Sequence, residues 1–233
     1  MIPIRDINPN VRPPVVTVAL IGANVVAFLF EQSIPQDRVE GFFMTFGLVP
    51  AHYGMPDFTG PVFLPFFSSM FLHGGWMHLI GNMWSLWLFG DNVEDRLGHG
   101  RFLVFYLLAG LGAGAAHLFL NQGSPVPTIG ASGAIAGVMG AYAFLYPDAR
   151  IVTLLPLGMF TRLIEIPSLL FIGIWTVFFN LVPALGQLGN KTTGGIAFWA
   201  HLGGALAGVI LVSLLAPPPP SATSLRRANA VRD

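Results

Sequence analysis

The sequence predicts an all-α protein that crosses a membrane six times. Three observations carry that prediction. Of its 233 residues, 54% are hydrophobic and only 9% charged, a composition foreign to soluble domains. Six apolar segments recur along the chain, at roughly residues 15–30, 76–90, 102–121, 131–146, 166–183 and 195–216, most of them near the length that a crossing needs. The basic residues are also biased to one side. With the N-terminus in the cytoplasm, Arg5, Arg12, Arg96, Arg101, Arg150, Arg162, Arg226, Arg227 and Arg232 lie inside, and only Arg38 and Lys191 lie outside, as the positive-inside rule requires.

Taken in order, residues 1–14 form a short polar tail on the cytoplasmic side. No cleavable signal or transit segment precedes the first span, so the expected location is a prokaryotic plasma membrane rather than an imported organelle protein. Pro13 and Pro14 suit the start of the first span. The external segment from Glu31 to Gly75 carries Phe42, Phe43, Phe46, Phe58, Phe63, Phe66 and Phe67 among turn formers. So aromatic a stretch either lies in the bilayer interface or packs on the helix bundle. The second and fourth spans are shorter than a full crossing. They are acceptable if they start below one surface, beside a water-filled cavity that the longer spans enclose. Residues 15–216 thus make one membrane domain. Pro217 to Pro220 end the sixth span, and residues 217–233 read as a disordered cytoplasmic tail.

The fourth span holds the stretch around which the rest is organised, GASGAIAGVMGAY from Gly130 to Tyr142. Gly133, Gly137 and Gly140 allow neighbouring helices to approach its backbone closely, which places this helix inside the bundle. Ser132 stands at its start, between Ala131 and Gly133. There the first backbone N–H groups of a helix have no intrahelical partners. A hydroxyl beside spare donors is the beginning of an acyl-transfer site, although a serine bonded back to its own helix would have the same sequence.

Other polar residues decide between these. The spans contain no Asp, Glu, Lys or Arg, but they contain His78 and Asn82 in the second, His117 in the third and His201 in the sixth. Ionisable groups at depth are costly and functional by default. Counted from the cytoplasmic ends at about 1.5 Å per residue, Ser132, His201 and His78 all lie roughly 20 Å up. Asn82 follows His78 by one helical turn on the same face. A neutral imidazole can take a proton from a serine, which makes Ser132 a candidate nucleophile and His201 its base. His78, Asn82 and the backbone N–H of Ser132 can donate to a developing oxyanion. With no carboxylate in the spans this is a Ser–His dyad. Aspartyl and zinc chemistry have no residues to work with, the chain has no cysteine, and neither a metal nor a cofactor is called for.

These residues resemble the rhomboid family of intramembrane serine proteases, from about Phe71 to Gly208. HGGWMHLIGN (His73 to Asn82) is similar to the family's second-span motif, GASG to its nucleophile motif, and AHLGGALAG (Ala200 to Gly208) to its sixth-span motif. Glu94 and Arg96 stand where the family carries an E-x-R pair. The resemblance implies a six-helix fold, Ser132 as nucleophile, His201 as base, and His78 and Asn82 as oxyanion donors. It also implies cleavage of other proteins' transmembrane segments near the outer face, with membrane substrates and the lipid bilayer as partners and no nucleic acid. Trp175, Phe178 and Phe179 of the fifth span are candidates for a lateral gate, with residues 183–193 as a cap. The sequence departs from the family at Ala136, where many relatives place an aromatic residue that stacks on the base, and in lacking a Trp-Arg pair ahead of His73. His73, five residues before His78, would point elsewhere on a common helix, and His117 fits a structural role. The rival readings are a non-enzymatic rhomboid-like protein that binds membrane clients and a small transporter.

Overall fold

The computed structural model describes residues 1–55, 58–157, 160–176 and 198–218. The chain is mostly helical. Helices α1 (Val15–Gln32), α4 (Trp76–Leu97), α5 (His99–Leu120), α6 (Ser132–Leu145), α7 (Ser168–Thr176) and α8 (Phe198–Leu215) occupy the six apolar segments, with α2 (Gln36–Phe46) and α3 (Leu64–Ser68) between α1 and α4. Three of them, α1, α5 and α8, are long and apolar enough to cross a membrane. The expected ends of the fifth span and of the C-terminal tail, and the candidate gate residues Phe178 and Phe179 with the cap, lie outside the described residues.

Helix α6 occupies the centre. From Gly133 to Tyr142 every residue except Gly140 is buried, because α4, α5 and α8 surround it. Its contact with α8 is backbone against backbone. A Cβ added at Gly204 would run into the carbonyl oxygen of Gly133, and one at Gly208 into that of Gly137. Two glycines four residues apart on one helix thus seat on two glycines four residues apart on the other, the close approach that small residues permit between membrane helices.

A second fixed point lies at the other end of the bundle, on Glu94 of α4. Its carboxylate accepts the backbone N–H groups of Val16 and Thr17 at 2.8 and 2.7 Å and the Thr17 hydroxyl at 2.7 Å. The open first turn of α1, preceded by two prolines, therefore gets its cap from another helix, and a negative charge there suits the helix dipole. His99 Nδ1 lies 2.6 Å from the same carboxylate. Arg96 donates to the Pro217 carbonyl at 2.7 Å, just beyond α8. The E-x-R pair thereby ties α1, α4, α5 and the end of α8 together.

The all-α expectation needs one correction. Strands β1 (Ile2–Asp6), β2 (Arg150–Leu157) and β3 (Phe160–Pro167) form an antiparallel sheet in the order β1-β2-β3. The β2–β3 hairpin pairs Arg150 with Pro167 through to Leu157 with Phe160, and both strands are rich in the aliphatic and β-branched residues that strands favour. Ile2 pairs with Leu154 and Asp6 with Ile151, so the N-terminal segment is a sheet edge rather than a loose tail. It is held from outside the sheet as well, by Trp84 Nε1 donating to the Pro3 carbonyl at 2.8 Å and by the Tyr142 hydroxyl donating to Asp6 at 2.7 Å.

Burial pushes Asp6 up from 3.8 to about 6 against the opposing bond from Tyr142. The folded protein therefore holds that proton more tightly than the unfolded chain does. The contribution is fully present below about pH 3.8 and is lost as pH rises through about 6. The protection of the β1 amides against hydrogen exchange is expected to fall across that window in the wild type and to stay level in Asp6→Asn, which keeps an acceptor for Tyr142 but does not titrate. Parallel profiles for the two proteins would remove Asp6 as the cause.

Candidate active site

The site forms where the first turns of three helices meet. Ser132 is the first residue of α6, His78 the third of α4 and His201 the fourth of α8. Ala131 at the N-cap of α6 has no side-chain oxygen to cap it, and among the described residues no side chain does so, which leaves its first-turn N–H groups as donors. The hydroxyl oxygen of Ser132 lies 2.7 Å from Nε2 of His201, a hydrogen bond across 69 residues of sequence. The glycine seats of α6 and α8 fix this distance, since Gly133 and Gly204 adjoin Ser132 and His201 on the same two helices.

The donors converge from the opposite side. Gly130 has φ +124°, a conformation that side chains disfavour, and the imidazole of His78 lies against it. A Cβ at Gly130 would sit 2.7 Å from His78 Nε2 and 3.6 Å from Asn82 Nδ2. Only glycine admits both groups to the start of α6. Asn82 is buried, and among the described residues its amide nitrogen has no hydrogen-bond partner. A buried unpaired donor costs stability, and this one lies at the start of α6, beside Gly130.

The segment between α1 and α4 holds the loop before Ser132. Leu48 and Thr128 exchange backbone hydrogen bonds at 3.0 and 2.8 Å, and the Gly130 N–H donates to the Ser69 carbonyl at 2.8 Å. His117 takes part from below, with Nε2 2.7 Å from the Thr128 hydroxyl. This fits the structural role expected for it.

The structure also changes the reading of His73. It precedes α4 rather than lying on it, so helical spacing does not apply. Its ring packs edge-on to His78 with centroids 5.0 Å apart, and burial lowers it to about 4, which keeps it neutral. Its backbone N–H donates to the carboxylate of Glu31 at 3.1 and 3.3 Å. Glu31, 4% exposed, escaped the sequence reading because α1 runs to Gln32, past the expected end of the span. A carboxylate directly after an apolar run was the available signal. It orders the turn that carries His73 and, through that ring, the flank of His78.

Residues 61–218 match the Rhomboid domain family, and this stretch contains all four converging residues. The chain belongs to the rhomboid family. It is 35% identical over 165 residues to the Rhomboid protease GluP of Bacillus subtilis (strain 168), covering 70% of this chain and 28% of that protein. It is 29% identical over 147 residues to Rhomboid protein 1, mitochondrial, of Saccharomyces cerevisiae, covering 61% and 39%. Over 181 residues it is 33% identical to the protein Mb1372 of Mycobacterium bovis, covering 73% and 65%. The chain thus spans less than two thirds of the length of each of these three proteins. Family membership and the three long apolar helices make it an integral membrane protein. In this rhomboid the position expected to carry an aromatic is Ala136, buried at 2% exposure, and a ring of α7, Trp175, lies beside the imidazole of His201.

Proposed function

We propose that this rhomboid is an intramembrane serine endopeptidase that cleaves transmembrane segments of other membrane proteins near the extracytoplasmic face. The observation that carries the reading is the 2.7 Å approach of Ser132 Oγ to His201 Nε2, beside a buried donor on Asn82 that has no partner among the described residues. In this reading the domain spans the membrane six times with both termini in the cytoplasm, in a prokaryotic plasma membrane.

The chemistry follows from these groups. His201 accepts the Ser132 proton as the oxygen attacks the scissile carbonyl. The carbonyl oxygen becomes an anion, and His78, Asn82 and the first-turn N–H groups of α6 stabilise it. As the tetrahedral species collapses, imidazolium returns the proton to the departing amine, leaving an acyl ester on Ser132. Water, deprotonated by the same imidazole, then releases the second product. A transmembrane helix hides its peptide bonds in its own hydrogen bonds. Segments with glycine or proline near the outer face unwind at least cost and are the favoured substrates.

Detergent-purified protein is expected to take up a serine-reactive fluorophosphonate probe, and Ser132→Ala is expected to take up none. Equal labelling of the two proteins would end the protease reading and leave a membrane-client-binding rhomboid in its place.

A further inference from the structure

Among the described residues, a ring that faces the imidazole of His201 comes from α7. Trp175 stands near the end of α7, with its ring centroid 5.9 Å from that of His201 and the planes inclined at 49°. Beside the two rings lies a cavity of about 50 Å³, bounded by Ala136 and Met139 on α6, Ile172 and Trp175 on α7, and His201 and Leu202 on α8. It is far too narrow for a further aromatic ring while Trp175 is in place.

A histidine ring on a helix chooses among a few staggered rotamers, and the dyad needs the one that turns Nε2 toward Ser132. The backbones cannot adjust to help it, because Gly204 is seated on the Gly133 carbonyl. On the α6 side Ala136, one turn below Ser132, offers a methyl to the cavity. The cavity leaves open space beside the imidazole on that side, and among the described residues the indole of Trp175, in ring contact with His201, and the ring of Phe198 are the large surfaces that bound it. We infer that Trp175 is a positioning residue that holds the His201 ring toward Ser132, supplying from α7 the restraint that Ala136 cannot supply from α6. The inference rests on the reading of Ser132 and His201 as nucleophile and base.

Aromatic pairs of this kind are worth a factor of roughly 2 to 10 beyond their burial. Trp175→Leu is expected to lower kcat by about tenfold with little change in KM, since the restraint acts on the reacting groups rather than on bound substrate. Trp175→Phe, which keeps an aromatic face, should retain most of the activity. The deciding variant combines Trp175→Leu with Ala136→Tyr, which moves the aromatic surface to the other wall of the same cavity. It is expected to recover at least half of the lost kcat. Ala136→Tyr alone overfills the cavity and should lower the melting temperature.

Fluorophosphonate labelling rates, measured in parallel, should follow the same order. Wild-type kcat in Trp175→Leu would overturn the inference. So would a loss that Trp175→Phe shares in full and Ala136→Tyr does not repair, because that pattern belongs to packing alone. A wild-type protein that takes no label sinks the protease reading and the role of Trp175 with it. A labelled wild type with Trp175→Leu labelled equally fast sinks only the latter.

Discussion

Alanine at Ser132 or at His201 is expected to abolish proteolysis, and alanine at both is expected to cost nothing more. In a serine protease the loss of nucleophile or base costs on the order of 10⁶ in turnover, and the losses do not add because the two residues act as one unit. The geometry predicts the same here, since the hydrogen bond between Ser132 and His201 joins them directly. Both side chains are only half-buried, and the helices are held by glycine contacts rather than by this bond, so the melting temperature should hardly move. Asn82→Ala is a graded companion, with a loss of about 10² to 10³ because His78 and the backbone donors remain. Measured turnover in the double variant that falls as the product of the two single losses would show that Ser132 and His201 do not act together.

The second large effect concerns the seat between α6 and α8. Gly204→Val or Gly208→Val puts a side chain where the carbonyl of Gly133 or Gly137 now stands. Overpacking of a core costs about 1–3 kcal/mol when side chains can give way. Here the obstacle is backbone, so the cost should reach or pass the upper end of that range. The helices must separate, and Ser132 and His201 separate with them. Both the melting temperature and the turnover are therefore expected to fall, in contrast to Ser132→Ala, which affects turnover alone. Gly81→Ala is the control, because a Cβ there meets nothing within 4 Å and alanine is the better helix former. A Gly204→Val protein that melts with the wild type would mean that the two helices do not touch through these residues.

Much of this was legible from residue types alone. The small residues of α6 announced a helix enclosed by others, and its burial from Gly133 onward is the outcome. The bounds of α5, His99–Leu120, lie within three residues of those read from apolar content. Ser132, His201, His78 and Asn82 were legible because polar groups in so apolar a chain have few other uses, and the structure does bring them to one place. The sheet was not legible. β1 has only five residues, and its partner lies about 150 positions along the chain, so nothing local in Ile2–Asp6 marks it as a strand. His73 was misread through helical spacing, where a turn precedes the helix. The place of Trp175 depends on how α7 packs against α6, which brings its ring to His201 and which no periodicity within the helix records.

The pairing of β1 with β2 has a consequence for the order in which the molecule is completed. The first strand leaves the ribosome well ahead of Leu154, the partner of Ile2, which follows only after α1, α4, α5 and α6 have been made. At translation rates of about 5–20 residues per second, that delay is roughly 8–30 s. Through all of it the backbone of β1 lacks its partner strand, and the first turn of α1 also waits for Glu94. Closure of the sheet is thus a late event that can occur only once the helix bearing Ser132 is complete, and a nascent chain arrested before residue 150 should expose its N-terminal segment to a protease that the finished protein resists.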